Sequence, residues 1–269
     1  MNWKWILFLM FLSSNALAQT LNRWDLLSQE TRNRLSKVPV HKITTPYDPA
    51  YRTPTLFWAY TYKDFLKLSG LLQGSDNPTL ALEAADGYQF TLQAAVLNKP
   101  GCHVAFALGQ KKGDEKFPWK NFAHGKEPIS PGPFYIVWQD GFTTNDSRPW
   151  SWQLVAISLY DPKKQNSLKP KDPRHNKGFQ IFQTHCQKCH SINLIGGAIG
   201  FEMNVPKNVT EYLNFDYFQS FAQSPRSYRA RSPMPEQKLS TQDFKAVWDY
   251  LQDKSHDKVC TTSKACENL

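Results

Sequence analysis

Short runs of aromatic and β-branched residues, separated by Gly, Pro and Asp, recur between residues 24 and 160. Such runs are typical of β-strands. The predicted strands are Tyr88–Val96, Val104–Leu108, Phe134–Trp138 and Trp152–Tyr160. In the last one, Val155, Ile157 and Leu159 alternate with other side chains, which predicts one buried face. The apolar spacing over residues 62–71 predicts a single helix, so this region is expected to be a β-rich domain with little helix.

The apolar spacing becomes helical after residue 171. Asp172-Pro173 predicts a helix start, because an N-cap residue precedes a proline at the first helical position. Residues 217–223 predict a third, shorter helix, and Ser240 predicts the N-cap of the last helix. One face of that helix carries Phe244, Val247, Trp248 and Leu251. Residues 161–171 are polar, basic and proline-containing, which predicts a linker between the two domains.

The first 18 residues have the pattern of a secretion signal. Lys4 supplies a positive start, residues 5–12 form an apolar run, and Ala16-Leu17-Ala18 fits the small-x-small cleavage pattern. The run is far shorter than the roughly 20 residues that a membrane-spanning helix needs. No later segment is long and apolar enough either, so we expect cleavage before Gln19 and a periplasmic protein without a membrane span.

Removing this segment lowers the formal net charge from +9 to +8, because it contains one lysine and no acidic residue. A basic surface favours acidic partners, anionic membranes or nucleic acid. Export argues against nucleic acid as a partner. The basic residues are also scattered rather than clustered, so a well-solvated exported protein is the simpler interpretation.

The five cysteines fall into three groups. Cys260 and Cys266 lie in the C-terminal tail, residues 259–269, and form a candidate disulfide because an oxidising compartment permits one. Cys102 stands alone, and we expect a small buried residue there rather than a reactive thiol. The remaining two cysteines belong to a motif.

That motif is Cys186-Gln187-Lys188-Cys189-His190, the C-x-x-C-H pattern of c-type haem attachment. One helical turn presents both thiols to the two vinyl groups of a single haem, and His190 then lies below the iron as a ligand. A C-x-x-C pair alone also occurs in redox dithiols and zinc sites. The adjacent histidine and the secretion signal favour haem. We therefore predict one covalently bound haem c.

Met234 is the candidate for the second iron ligand. Methionine is the usual partner of histidine in cytochromes c, where it raises the reduction potential. Beyond the signal segment the only methionines are Met203 and Met234, and Met234 lies in Ser232-Pro233-Met234-Pro235, which no helix could contain. Packing of a loop methionine is the alternative interpretation. Met203 is expected to make an apolar contact with the haem edge. Rival nitrogen ligands would be His175, His185 and His256.

Other residues are candidates for the haem surroundings. Tyr212 and Trp248 are candidate pocket walls, although burial in a core would explain them equally well. Arg229, with its neighbours Arg226 and Arg231, could pair with haem propionates or face an acidic partner. A solvated basic stretch is the alternative.

Residues 172–254 resemble a class I, mitochondrial-type cytochrome c domain. The matching pieces are Gly178, Phe182, Cys186–His190, Gly200–Asn204, Ser232–Pro235, Trp248 and Leu251. The resemblance implies an all-α domain, here residues 172–258, whose first and last helices cross at Gly178 against Trp248 and Leu251. It also implies a backbone carbonyl that accepts the ring N–H of His190. The family has Gly-Pro at that point, where this chain has Gly200-Phe201.

Residues 204–212 resemble a subgroup of bacterial cytochromes. In these proteins the haem domain follows a domain related to the sulfite-oxidase-type molybdopterin-binding fold. Residues 24–160 resemble a reduced form of that fold, through Pro46–Asp48, Ala84–Tyr88 and Gly132–Trp138. Cys102 lacks the sequence context of a molybdenum-ligating cysteine, so the resemblance implies a degenerate domain without the pterin. The overall expectation is an α+β chain, with a β-rich domain followed by the cytochrome c domain.

Three functions fit these features. The leading hypothesis is a mono-haem electron carrier, and not a catalyst, between periplasmic redox proteins such as a dehydrogenase donor and a terminal oxidase or cytochrome acceptor. The second is a two-domain oxidoreductase whose N-terminal domain acts on a substrate and passes electrons to the haem. The third is a haem-based sensor that leaves one side of the iron open to a gas ligand. Retention of Met234 on the iron would favour the electron carrier over the sensor.

Overall fold

A computed structural model describes residues 23–71, 77–110, 113–124, 127–143 and 148–259. Within these residues the chain divides into two compact units, with residues 86–90 and those from Asp161 onward forming the second. The predicted signal segment, residues 1–18, and the candidate disulfide of Cys260 and Cys266 lie outside the described residues. The chain is thus mixed, with a β-rich N-terminal region and a helical C-terminal region.

Two four-stranded sheets make up most of the first unit, with the strand orders β1-β10-β4-β5 and β2-β3-β6-β9. The strands are β1 (Arg23–Asp25), β2 (His41–Asp48), β3 (Thr53–Thr61), β4 (Thr79–Ala84), β5 (Gln89–Gln93), β6 (Cys102–Leu108), β7 (Phe122–His124), β8 (Glu127–Ile129), β9 (Tyr135–Trp138) and β10 (Leu154–Leu159). Strands β7 and β8 form a separate hairpin. The helices are α1 (Gln29–Leu35), α2 (Tyr62–Lys67) and α3 (Ala94–Leu97).

Aromatic side chains dominate the core of the first unit. Its largest fully buried side chains include Trp138, Tyr62, Tyr135, Phe57 and Phe65. The rings of Phe57 and Tyr135 meet edge to face, with 6.0 Å between their centroids. Such pairs add to the stabilisation that burial of the rings provides. The aromatic richness of the sequence is therefore accounted for by this core.

Four predicted strands and one predicted helix of this unit are present with altered ends. Strand β5 is shorter than predicted because the chain turns into α3 at Ala94, and α2 ends at Lys67. In β10 the predicted buried face is wrong. Ala156 and Ile157 are both buried whereas Val155 is half-buried, because an irregularity between Leu154 and Ala156 shifts the pairing with β4. A bulge of this kind breaks the two-residue alternation.

The second unit is mainly helical, as predicted. It contains α4 (Pro162–Asn166), α5 (Asn176–His185), α6 (Phe215–Gln223), α7 (Pro225–Tyr228) and α8 (Thr241–Lys254), with 3-10 turns at Pro173–His175 and Val209–Glu211. Ser240 caps α8, since its hydroxyl accepts a hydrogen bond from the Asp243 N–H at 3.1 Å. A short hairpin, β11 (Ser191–Ile192) and β12 (Ile195–Gly196), departs from the all-α expectation. No helix in the described part of the chain is long and apolar enough to cross a bilayer.

Helices α5 and α8 cross at Gly178. A Cβ atom at Gly178 would collide with the carbonyl of Ala246 and would lie 2.8 Å from Cβ of Tyr250. The atoms nearest to Gly178 belong to Ala246 and Tyr250, whereas the expected partners were Trp248 and Leu251. Only glycine permits this close approach of the two backbones.

Residues 161–171, predicted as a linker, are packed into the second unit. Leu168 is fully buried in its core cluster. The Tyr250 hydroxyl donates to the Leu168 carbonyl at 2.9 Å, and the Lys254 ammonium donates to the Ser167 carbonyl at 3.0 Å. The segment is mostly polar, so its composition did not predict that Leu168 packs into the core.

Candidate functional site

A tight turn at the end of α5 carries both cysteines of the C-x-x-C-H motif and its histidine. Cys186 is the C-cap residue of the helix. Its carbonyl accepts hydrogen bonds from the Cys189 N–H at 3.0 Å and the His190 N–H at 2.9 Å. These bonds continue the helical winding for one further turn, so the two thiols and the imidazole are held by a single backbone segment.

The imidazole of His190 has a fixed orientation and a fixed tautomer. Its Nδ1 atom lies 2.9 Å from the Phe201 carbonyl oxygen, and a carbonyl can only accept, so Nδ1 carries the proton. The Nε2 lone pair is then free for a metal. Burial lowers the pKa of His190, against the opposing effects of the Phe201 bond and the Glu202 charge. A Cβ atom at Gly200 would collide with the ring, so glycine is needed where the loop crosses it.

His190 and Met234 line the same cleft of the second unit. The other lining residues are His185, Cys186, Cys189, Met203, Phe218, Ala222, Pro235, Gln237, Leu239, Phe244 and Val247. The loop that carries Met234 is tied to α6, because the Gln237 N–H donates to the Ala222 carbonyl at 2.9 Å. Two iron-ligand types, imidazole and thioether, thus share one apolar space.

The thiols of the motif are unlike those of a redox dithiol. Burial, followed by the nearby Cys189, raises the pKa of the Cys186 thiol to about 12. Burial and then Asp86 raise the pKa of Cys189 as well. Reactive C-x-x-C pairs have lowered thiol pKa values. Among the described residues, no group of three or more His, Cys, Asp or Glu could hold a metal ion.

The donor set of this cleft fits a covalently bound haem. Two thiols one turn apart match the two thioether bonds, and His190 offers Nε2 on the same turn. The apolar lining suits a porphyrin ring. Residues 175–255 match the model of the cytochrome c family. A domain of this family implies a covalently bound c-type haem.

A second similarity extends over more of the chain. It is to the dehydrogenase subunit of a quinone alcohol dehydrogenase from Gluconobacter oxydans (strain 621H), with 26% identity over 137 residues. The match covers 48% of this chain and 17% of the relative. The match therefore spans less than a fifth of the length of that protein.

Three residues expected around the haem are not among those that line the cleft of the cytochrome c domain. Tyr212 is 48% exposed. Arg229 lies over the ring of Phe221, with 5.7 Å from Cζ to the ring centroid. Trp248 is buried but packs on Phe218, with 5.3 Å between ring centroids. The core interpretation of Trp248 is the one that agrees with these contacts.

The wall of the cleft comes instead from α6 and α8. Ala222 and Phe218 lie on α6, and Phe244 and Val247 lie on α8. Phe244 and Val247 belong to the apolar face of α8 that the sequence predicted, but only Trp248 of that face was a candidate for the pocket wall. The three-residue spacing of Phe244 and Val247, directly after the Met234 loop, was the feature that could have identified them. Met203 lines the cleft as well, in agreement with an apolar contact there.

Residues 86–90 also belong to the second unit, which the sequence did not indicate. The Ala198 N–H donates to the Gly87 carbonyl at 2.8 Å, and the Gln89 N–H donates to the Lys188 carbonyl at 3.0 Å. Burial, followed by the nearby Cys189, raises the pKa of the Tyr88 hydroxyl. These backbone bonds attach the segment to the motif turn, about a hundred positions later in the chain, and no local pattern reports such a contact.

The rival nitrogen ligands and Cys102 have other surroundings. His185 lines the cleft from the last turn of α5, whereas His175 precedes α5 and His256 is exposed after α8. Cys102 is a free, buried cysteine at the start of β6. Burial raises the pKa of its thiol far above the ordinary value, which agrees with a small buried residue rather than a reactive thiol.

Proposed function

We propose that this chain is an exported electron carrier with one haem c, bound through Cys186 and Cys189 and ligated by His190 and Met234. The observation that carries the proposal is that His190 and Met234 line one apolar cleft next to the two thiols. The haem, when bound, supplies an iron that gains and loses one electron. The cytochrome c domain at residues 175–255 supports haem-based electron transfer.

The protein side chains have two tasks in this proposal. The hydrogen bond from His190 Nδ1 to the Phe201 carbonyl orients the imidazole and increases its basicity as a ligand. Phe218, Phe244 and Val247 line the cleft and would keep water away from the bound iron, and an apolar shell of this kind controls the reduction potential. The thioether of Met234, as a ligand of the iron, would raise that potential further.

The test is spectroscopic and uses the full chain, expressed with its first 18 residues in a host that attaches haem c. The proposal expects haem-loaded protein in the periplasmic fraction, one iron per chain, a low-spin spectrum and no reaction with carbon monoxide. Met234→Ala should then bind carbon monoxide. Met203→Leu is the matched control, because it changes the other methionine of the same cleft and should remain unreactive. Protein without covalent haem would refute the proposal.

The proposed partners are other periplasmic redox proteins, with a dehydrogenase as donor and a terminal oxidase or cytochrome as acceptor. The similarity to a dehydrogenase subunit supports a donor of that class. Transient docking through a small interface is typical of electron-transfer pairs. The partner would be tested by stopped-flow reduction with purified periplasmic dehydrogenases from the source organism.

A two-domain oxidoreductase is the second candidate. The similarity to a dehydrogenase subunit covers 48% of this chain, more than the cytochrome c domain alone. In this version residues 24–160, with their resemblance to the sulfite-oxidase-type fold, would act on a substrate and reduce the haem. Stoichiometric molybdenum in the purified protein would favour this candidate, whereas iron without molybdenum favours the carrier. Wild-type protein that binds carbon monoxide would instead favour the sensor.

A further inference from the structure

Four backbone N–H groups converge on the carboxylate of Glu202. Oε1 accepts hydrogen bonds from Asn193 at 3.1 Å, Asn204 at 2.7 Å and Val205 at 3.2 Å. Oε2 accepts from Leu194 at 3.0 Å. Hydrogen bonds to an ionised carboxylate are about twice as strong as neutral ones. This single side chain therefore joins the β11–β12 hairpin to the loop at residues 202–205.

The hairpin turn depends on that support. Asn193 and Leu194, the two residues between β11 and β12, have φ angles of 54° and 65°. A turn with both central residues at positive φ favours Asn-Gly, because the left-handed region is unfavourable for a residue with a Cβ atom. Leu194 adopts this conformation although its side chain is 64% exposed and packing cannot compensate. The hydrogen bond from the Leu194 N–H to the Glu202 carboxylate is the compensating interaction.

The same carboxylate is one residue away from the group that orients His190. The Phe201 carbonyl accepts the bond from His190 Nδ1, and the Phe201 ring meets the His190 ring edge to face at 5.1 Å. Phe201 is 49% exposed, so its own packing holds it only in part. The bonds of Glu202 to Asn204 and Val205 fix the chain immediately after it.

We propose that Glu202 is a positioning residue for the imidazole of His190, acting through the backbone of Phe201. The inference rests on the proposed function, because it assigns Glu202 to the orientation of the iron ligand. The Glu202 carboxylate fixes the backbone of residues 202–205 through its hydrogen bonds to Asn204 and Val205. The fixed backbone positions the Phe201 carbonyl, which accepts the hydrogen bond from His190 Nδ1. The side chains of Asn193, Asn204 and Asn208 bond to one another and to the carbonyls of Asp257 and Leu251. They accept none of the four backbone N–H groups that bond to Glu202.

The test is the variant Glu202→Gln, examined as the reduced, haem-loaded full chain. Glutamine keeps the size of the side chain but removes its charge and turns an N–H donor toward one of the four N–H groups. We expect the Nδ1 proton of His190 to exchange with solvent at least about tenfold faster, as measured by NMR, because bonds to charged groups have this order of strength. The electron paramagnetic resonance g-values of the oxidised iron should shift as well, since they report the orientation of the imidazole.

Glu211→Gln is the matched control. It also removes one carboxylate from the second unit, but Glu211 pairs with Lys258 and has no bond to the hairpin or to residues 202–205. We expect wild-type exchange and g-values in this variant. Equal effects of the two substitutions would mean that charge alone matters, which would overturn the positioning role.

The double variant Leu194→Gly, Glu202→Gln tests whether the effect on His190 arises from strain in the hairpin turn. It can also be measured if the single variant fails to fold. Glycine removes the strain of the turn, so the hairpin no longer needs the carboxylate. Fast exchange of the His190 proton should persist in the double variant. Recovery of wild-type exchange would overturn the inference and leave the proposed function intact, whereas wild-type protein without haem would overturn both.

Discussion

A lysine is completely buried in the cytochrome c domain, and its pairing leads to a sharp prediction. Lys254, at the last position of α8, has no exposed side-chain surface, whereas its partner Asp257 is 37% exposed. The Lys254 ammonium forms an ion pair with the Asp257 carboxylate and donates to the Ser167 carbonyl at 3.0 Å. Desolvation is therefore much more unfavourable for Lys254 than for Asp257.

The two ways of breaking this pair should have unequal effects. Asp257→Ala leaves a buried ammonium with one carbonyl partner, and breaking a buried pair in this way costs about 3–5 kcal/mol. The remaining bond to Ser167 places the expected loss near 3 kcal/mol, the lower end of that range. Lys254→Met keeps the apolar stem and leaves a carboxylate that reaches water. We expect that variant to lose about 1 kcal/mol or less, as for an exposed pair.

The assay is urea unfolding of the haem-loaded full chain, followed by haem absorption and far-ultraviolet circular dichroism. The free energies of unfolding of both variants are compared with that of the wild type under the same conditions. An equal loss in the two variants, or a larger loss in Lys254→Met, would refute the assignment of the desolvation cost to the lysine. Unchanged slopes with urea are required for the comparison.

The same pair sets a pH dependence. Burial alone would raise the pKa of Asp257, but the bonds to Lys254 and Lys171 outweigh it, so the pKa is lowered from 3.8. A carboxyl with a lowered pKa contributes stability that is present above the unfolded-state value and disappears as the pH falls through the folded-state value. The stability difference between the wild type and Asp257→Ala should therefore shrink on acidification below pH 3.8. A constant difference would contradict the lowered pKa.

Two further predictions concern the helix crossing and the basic stretch before Met234. Gly178→Val should destabilise the second unit by about 1–3 kcal/mol or more, because the valine side chain would overlap the Ala246 carbonyl and push α5 away from α8. Urea unfolding measures this loss of stability. A neutral effect would refute the close crossing of the two helices. Charge reversal of three arginines should slow oxidation of the reduced protein by hexacyanoferrate(III), an anionic reagent, by about tenfold at low ionic strength. The three are Arg226, Arg229 and Arg231. The difference should vanish at high salt, and its persistence would show that the residues act by another route.

The chemistry of the cleft could be predicted from the sequence because its parts are local. The C-x-x-C-H motif lies within five residues, and the motif spacing itself encodes the shared turn. Met234 could be singled out because two flanking prolines exclude a helix, and it lines the same cleft as His190. The walls could not be predicted in the same way. Phe218 and Phe244 come from two helices whose rotation about their axes is set by packing, and Tyr212 was a candidate only through its position in the sequence.

Long-range pairing also explains what was missed in the first unit. Within the part of the chain that the structure describes, strands β2 and β3 form the longest antiparallel pair, over residues 41–48 and 53–61. Polar residues and Pro46 interrupt β2, so its own sequence does not alternate clearly, and its burial depends on β3 as a partner. Two of the predicted strands, over residues 104–108 and 134–138, have continuous apolar runs. Strand β9 is the clearest, since all four of its residues are buried.

The departure from the family at Gly200-Phe201 shows how a substitution in sequence can preserve a geometry. The resemblance implied a carbonyl bonded to His190 from a Gly-Pro pair, where proline would fix the backbone through its ring. Here Phe201 supplies the carbonyl at 2.9 Å without a ring to restrain it. The restraint comes instead from Glu202, whose carboxylate binds the N–H groups of Asn204 and Val205. The backbone restraint that proline would give at position 201 is thus supplied by Glu202, and this restraint fixes the orientation of His190, the proposed iron ligand.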